Sequence, residues 1–207
     1  MSEPVGGAPE EAKRGTLSRV AAVVALSFSS GLPLGLVWIA IPDWMRSIGV
    51  DIRVVGLFTL AQAPWSFKFL WSPLMDRFRL PFWGRRRGWI AVAQVALALS
   101  GLALSGVGSR PETPWVALAL TLAVALSAAT QDIAIDAYAV DVLRKEEHGV
   151  AVGLRTAVYR AAMTLSGGLA IWVAASLGWG VVNLLLGLVY LPLLLVTWRS
   201  PEPEEPA

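Results

Sequence analysis

Apolar residues fill this chain in six long runs, at about residues 19–41, 52–74, 88–108, 115–138, 150–177 and 181–198. A bilayer crossing needs roughly 20 apolar residues, so each run is long enough or nearly so. Backbone N–H and C=O groups cannot stay unpaired in hydrocarbon, which predicts a helix for every run. The short strands of alternating polarity that a membrane barrel requires are absent. Connections are short, and the tightest, near residues 176–180, predicts a helical hairpin between the last two spans. Residues 1–18 read as a polar N-terminal tail, 19–198 as a six-helix transmembrane lobe, and 199–207, rich in Pro and Glu, as the start of an extended linker. The first run is too long for a cleavable signal peptide and reads as the first anchor.

Composition agrees with this pattern. The 207 residues are 56% hydrophobic with a mean hydropathy of +0.61, which excludes an ordinary soluble domain. There is no cysteine, so disulfides are excluded. The net charge of +2 matters less than its placement. With the N-terminus inside, the inner segments hold eleven cations: Lys13, Arg14, Arg19, Arg77, Arg79, Arg85, Arg86, Arg87, Arg144, Lys145 and Arg199. The outer loops hold three, Arg46, Arg53 and Arg110, so both termini are expected in the cytoplasm. Trp44, Trp71, Trp83, Trp89, Trp115, Trp179 and Trp198 fall near span ends, as an aromatic belt would.

Five charged residues lie inside the spans: Lys68, Asp132, Asp136, Arg155 and Arg160. A charge within a bilayer costs a few kcal/mol or more and is seldom there without a task. Counted from Asp76, Asp141 and Val150, residues Lys68, Asp132 and Arg160 sit at matching depths, roughly 12–15 Å along their helices. Asp136 and Arg155 form a second layer. Two ionic layers are therefore expected, one around Asp132 and one around Asp136. The two aspartates are i, i+4 neighbours and project from one stripe of the fourth helix, beside small Ala125 and Ala129. Thr156, Arg160, Thr164 and Gly167 form a corresponding stripe on the fifth. Such pairs either lock helices together or bind substrate and coupling ions at mid-depth.

The run Phe28-Ser-Ser-Gly-Leu-Pro-Leu-Gly-Leu36 predicts a kink at Pro33, with Gly31 and Gly35 allowing close approach of a neighbour. Trp38 and Trp65 are not clearly interfacial; a sugar ring, lipid or the core are the surfaces they would meet. The loop after the second run, Met75-Asp-Arg-Phe-Arg-Leu-Pro-Phe-Trp-Gly-Arg-Arg-Arg-Gly88, places Asp76 and Arg77 ahead of Arg85 and Arg86. Asp76 paired with a nearby cation would hold one conformation shut. Asp76, Arg77, Arg85, Arg86 and Arg155 are thus the candidate gate residues.

That loop resembles the signature of the major facilitator superfamily, although Ser72 stands where a glycine is usual and the spacer before Gly84 is longer. Phe67 to Arg77, Gly84 to Trp89, Thr130-Gln-Asp-Ile-Ala-Ile-Asp-Ala137, Tyr159-Arg160 and Ser166-Gly-Gly168 together resemble the AmpG-type muropeptide permeases. The Gln-Asp-Ile-Ala-x-Asp run is also similar to acetyl-coenzyme A transporters. The resemblance implies a multi-pass inner-membrane symporter that imports anhydromuropeptides with protons for cell-wall recycling. It implies no cofactor, and Lys68, Gln131, Asp132, Asp136 and Arg160 as the first candidates for substrate or proton contact. Expected partners are membrane lipid, a small solute, protons and a second six-helix lobe, with no nucleic acid. The superfamily has twelve helices in two lobes, so six spans correspond to one 3+3 inverted repeat. The second lobe would be a C-terminal half or another copy. Enzyme chemistry is not expected: no metal-ligand cluster or phosphate loop is present, and the lone His148 sits in a charged loop. The competing readings are transport of another anionic substrate, such as a coenzyme A thioester, and a truncated six-helix protein that does not transport.

Overall fold

The computed structural model describes residues 8–78, 80–107 and 114–202, and every regular element among them is helical. Arg79, Arg110 and the end of the Pro/Glu-rich tail lie outside the described residues. Five helices are long and apolar enough to cross a membrane: Lys13–Ser47, Arg85–Val107, Pro114–Val142, Lys145–Leu177 and Trp179–Arg199. We call residues 8–47 α1, residues 52–77 α2, and the last four of these spans α3 to α6 in chain order.

Prolines and glycines decide where these helices deviate. In α1 the helix Ala8–Gly35 passes through a π turn at Leu36–Ala40 and continues as Ile41–Ser47. It begins well inside the stretch expected as a polar tail. Pro33 has no N–H to give to the carbonyl of Ser29, four residues back, and the Tyr190 hydroxyl of α6 donates to that carbonyl instead, at 3.2 Å. The π turn ends just before Pro42, where the next donor is missing, and Ile41 N–H reaches back to Leu36.

The segment expected as the second span, α2, is not one helix. It runs Ile52–Leu57, Phe58–Gln62, Ala63–Phe67, Lys68–Leu70 and Ser72–Arg77, alternating α and 3₁₀ geometry. Pro64 and Pro73 each sit in the first turn of a new piece, where a missing N–H costs least. The hairpin between α5 and α6 forms as expected. It turns on Gly178, whose φ of 82° is the left-handed conformation glycine adopts without strain.

Packing depends on close backbone approach. A Cβ on Gly31 or Gly35 of α1 would run into the carbonyl oxygens of Tyr159 and Met163 of α5. Between α3 and α6, a Cβ on Gly101 would lie 2.7 Å from the Gly187 Cα. The larger apolar cluster joins Leu36, Ile41 and Trp44 of α1 to Phe58, Leu97, Leu104, Val124 and Trp179. A smaller one gathers Val23, Leu26, Met75, Ile90, Ile135 and Tyr138. Trp44 and Trp179 therefore depart from the expected aromatic belt. Both are buried, their rings stacked at 5.9 Å, and Trp179 Nε1 donates to Ser47 Oγ at 3.2 Å. Their positions near helix ends are real, but those ends pack on each other.

The chain leaving α6 is strapped down. Arg87 of α3 donates to the carbonyls of Trp198 at 3.1 Å and Ser200 at 2.7 Å and pairs with Glu202. The Tyr138 hydroxyl of α4 donates to Pro201 O at 2.7 Å. Gly84, with φ 77°, leaves space that the Glu202 carboxylate occupies. The first residues of the expected linker are thus anchored rather than free.

Candidate functional site

The site is built where the broken α2 lies against α4. On α4, Asp132 and Asp136 stand one turn apart on the same stripe. On α2, Trp65 and Lys68 face them in the same order. Trp65 Nε1 donates to Asp132 Oδ2 at 3.1 Å, and Lys68 Nζ lies 3.4 Å from Asp136 Oδ2. From α1, Ser30 Oγ donates to the other Asp132 oxygen. From α5, Arg155 pairs with the other Asp136 oxygen. Asp132 is buried with two uncharged donors, while the Asp136 side chain is 48% exposed between two cations.

Gln131 faces α1. Its amide Nε2 donates to Ser29 Oγ at 2.6 Å, and Ser29 in turn donates to Leu26 O. The Gln131 Oε1 is buried with no partner among the described residues. A role for Gln131 in fixing α4 against α1 is therefore visible in the geometry.

The two expected ionic layers form differently from the expectation. Lys68 joins Asp136 rather than Asp132, and the Asp132 layer is held by neutral donors. Arg160 takes part in neither layer: it is exposed, and its guanidinium makes no hydrogen bond or ion pair with a described residue. The reason is helical phase. Arg160 is five residues beyond Arg155, roughly 140° around the helix, so when Arg155 faces Asp136, Arg160 cannot. Thr156, Arg160 and Thr164 instead form an exposed polar stripe on α5.

Of the gate candidates, Asp76, Arg85 and Arg86 come together. Arg86 Nη1 lies 2.5 Å from Asp76 Oδ1, and its Nε lies 2.8 Å from Asp141 Oδ2 at the end of α4. Arg85 donates to the Asp76 carbonyl at 3.0 Å. Arg77 is exposed and makes no such contact among the described residues, and Arg155 belongs to the intramembrane pair. Asp141 was not singled out in the sequence. Its signal was its position, five residues past Asp136, just beyond the fourth run and level with the basic loop.

An open cavity of about 660 Å³ connects the two clusters. Lys68, Ser72, Asp76, Arg86 and Asp136 line its polar side, and Phe69, Ile133 and Val140 its apolar side. A ligand anion entering it would meet the Lys68 ammonium as a point charge. Because the pairs of Arg86 with Asp76 and Asp141 are partly exposed, each contributes about 0.5–1 kcal/mol. Arg86→Met removes both links and is expected to raise the population of the opened arrangement about fivefold. The chain has no cysteine, so Ser72→Cys provides a single probe: its labelling by a polar maleimide should accelerate about fivefold in the Arg86→Met background.

Apolar helices carrying charge pairs among them define a multi-pass membrane protein. The chain belongs to the major facilitator superfamily, whose family model matches residues 23–207. It is 39% identical over 188 residues to the anhydromuropeptide permease of Escherichia coli K12, covering 90% of this chain and 38% of that protein. An uncharacterized protein of Haemophilus influenzae is 35% identical over 178 residues, covering 86% of this chain and 42% of the relative. The chain therefore spans about two-fifths of the length of these curated relatives.

Proposed function

We propose that this chain is one six-helix lobe, built as a 3+3 inverted repeat, of a proton-coupled importer of anhydromuropeptides in the bacterial inner membrane, serving cell-wall recycling. The observation that carries the reading is the Asp136 cluster. A half-exposed carboxylate between Lys68 and Arg155, opening into a 660 Å³ cavity, is arranged to exchange its cations with a ligand's carboxylate. The 39% identity to a permease of that name supports the substrate class. In this reading α2 completes the sixth crossing, its breaks tolerated because they line a cavity rather than lipid. The excess of cations on the inner segments supports cytoplasmic termini.

A second lobe, in the same polypeptide or another copy, covers the faces of α2, α4 and α5 that carry Lys68, Asp136, Thr156, Arg160 and Thr164. Leaving that polar surface against acyl chains would be costly. The product of the native gene, if it carries both lobes, is expected to have a denatured mass near twice 22.1 kDa; a mass of 22.1 kDa would turn the search to self-association.

The functional test is uptake of labelled anhydromuropeptide in cells lacking the chromosomal gene and resupplied with it. Uptake restored by the gene and driven by an inward proton gradient is the expected result. Uptake unchanged by the deletion counts against the substrate. Asp132→Asn keeps the shape of the buried group while removing its proton-accepting charge, and is expected to uncouple uptake from the gradient. Wild-type rate and pH dependence in that variant would rule Asp132 out as the coupling group.

A further inference from the structure

The intramembrane cluster has an aromatic side that the charged groups do not use. Trp38 lies within the π turn of α1, where Leu36, Val37 and Ala40 are buried and Trp38 is turned outward, 41% exposed. Its ring meets Trp65 edge to face, with centroids 6.4 Å apart and planes at 89°. Trp65 is held in that orientation by its indole N–H bond to Asp132, itself fixed by Ser30. Lys68 follows Trp65 by three residues on the same segment. Trp65 therefore stands about one helical turn, some 5 Å, from the Lys68–Asp136–Arg155 cluster, with Trp38 packed against it.

We infer that Trp38, oriented by Trp65 and through it by Asp132, is the stacking wall for the saccharide ring of the transported molecule, while Lys68 and Arg155 take its anionic part. This inference rests on the proposed transport function. Three features carry it. An exposed indole packed on Trp65 lies beside the half-exposed charges, where lipid would be excluded. Its position is fixed from behind by a partner whose only polar group is already committed, so the pair offers ring surface without an unsatisfied donor from Trp65. A π turn, which places one residue too many in a helical turn, turns Trp38 outward here, and such turns are frequent at functional positions. An aromatic wall beside a cation site fits a ligand with one C–H-rich ring face and one carboxylate. An inorganic ion has no ring face, and a saccharide that bears a carboxylate has both. In this arrangement Asp132 acts as a positioning residue for the wall.

The test uses the full-length product of the native gene, purified in detergent, with binding of the unlabelled saccharide part of an anhydromuropeptide read by calorimetry. Uptake of the intact compound is measured in parallel. Trp38→Ala is expected to weaken saccharide binding about fivefold and raise the uptake KM by a similar factor, with kcat within roughly a factor of two. Trp38→Phe, which keeps a ring, should recover most of the loss. Affinity for the isolated peptide part should be the same in all three proteins. Saccharide binding without uptake of the intact compound would sink the transport function and leave the wall standing. Uptake in the wild type with unchanged KM and saccharide affinity in Trp38→Ala would overturn the wall alone. So would a wild-type protein that binds no saccharide, or a Trp38→Ala loss that Trp38→Phe fails to restore.

Discussion

Gly35→Leu is expected to prevent the lobe from assembling. The Cβ of any residue at position 35 would overlap the Met163 carbonyl and approach the Gly167 amide nitrogen at 2.9 Å. Both belong to backbone, which cannot step aside as a flexible side chain can. The only relief is separation of α1 from α5 along the seam that also contains Gly31 and Ala162. Overpacking of a flexible core costs about 1–3 kcal/mol, and a clash with fixed backbone lies at or above the top of that range. Loss of the monodisperse peak in size-exclusion chromatography, or a large drop in melting temperature, is the expected readout. Gly106→Leu is the control: that position is exposed on α3 with nothing within 4 Å of an added Cβ, and it should leave the peak unchanged. A normal peak for Gly35→Leu would mean that α1 and α5 can move apart at little cost.

Asp136→Asn should have the largest effect on uptake, at least about tenfold, because it leaves Lys68 and Arg155 together without their anion. Removing one member of a fully buried pair costs about 3–5 kcal/mol. Here the carboxylate is half exposed, so solvent screening brings the stability loss to about 1–2 kcal/mol. The double variant Asp136→Asn, Arg155→Met removes one of the orphaned cations. It is expected to recover most of the melting temperature and none of the uptake. That split separates a cluster that merely locks α2, α4 and α5 from one that handles the ligand. Recovery of uptake along with stability would reduce the cluster to a structural clasp.

The intramembrane charges were legible as a group because carboxylates and cations stand out in apolar runs, and the pairing of Asp136 with Arg155 followed from their matched depth. The assignment of Lys68 to Asp132 failed for a geometric reason. Depth was counted at the backbone, whereas the long Lys68 side chain ends level with Asp136, and Trp65, three residues earlier, takes Asp132. Arg160 failed through phase, which depth alone ignores. Ser29 and Ser30 lay in plain view in the glycine-proline motif of α1. Small hydroxyls in membrane helices commonly bond their own backbone, so their reach to Gln131 and Asp132 shows only once α1 and α4 are packed. Trp44 and Trp179 are a case of partner dependence: nothing local distinguishes a tryptophan facing headgroups from one stacked on another tryptophan.

The strap after α6 sets a load path. Arg87 and Tyr138 tie residues 198–202 to α3 and α4, while Arg86, next to Arg87, holds the end of α2 through Asp76. Tension applied at residue 202 is therefore delivered to the N-terminal end of α3 and the C-terminal end of α4, not to α6 alone. Adjacent arginines on one helical turn transmit it onward to α2. A pull on the outgoing chain and a break in the Arg86–Asp76 pair become mechanically linked events.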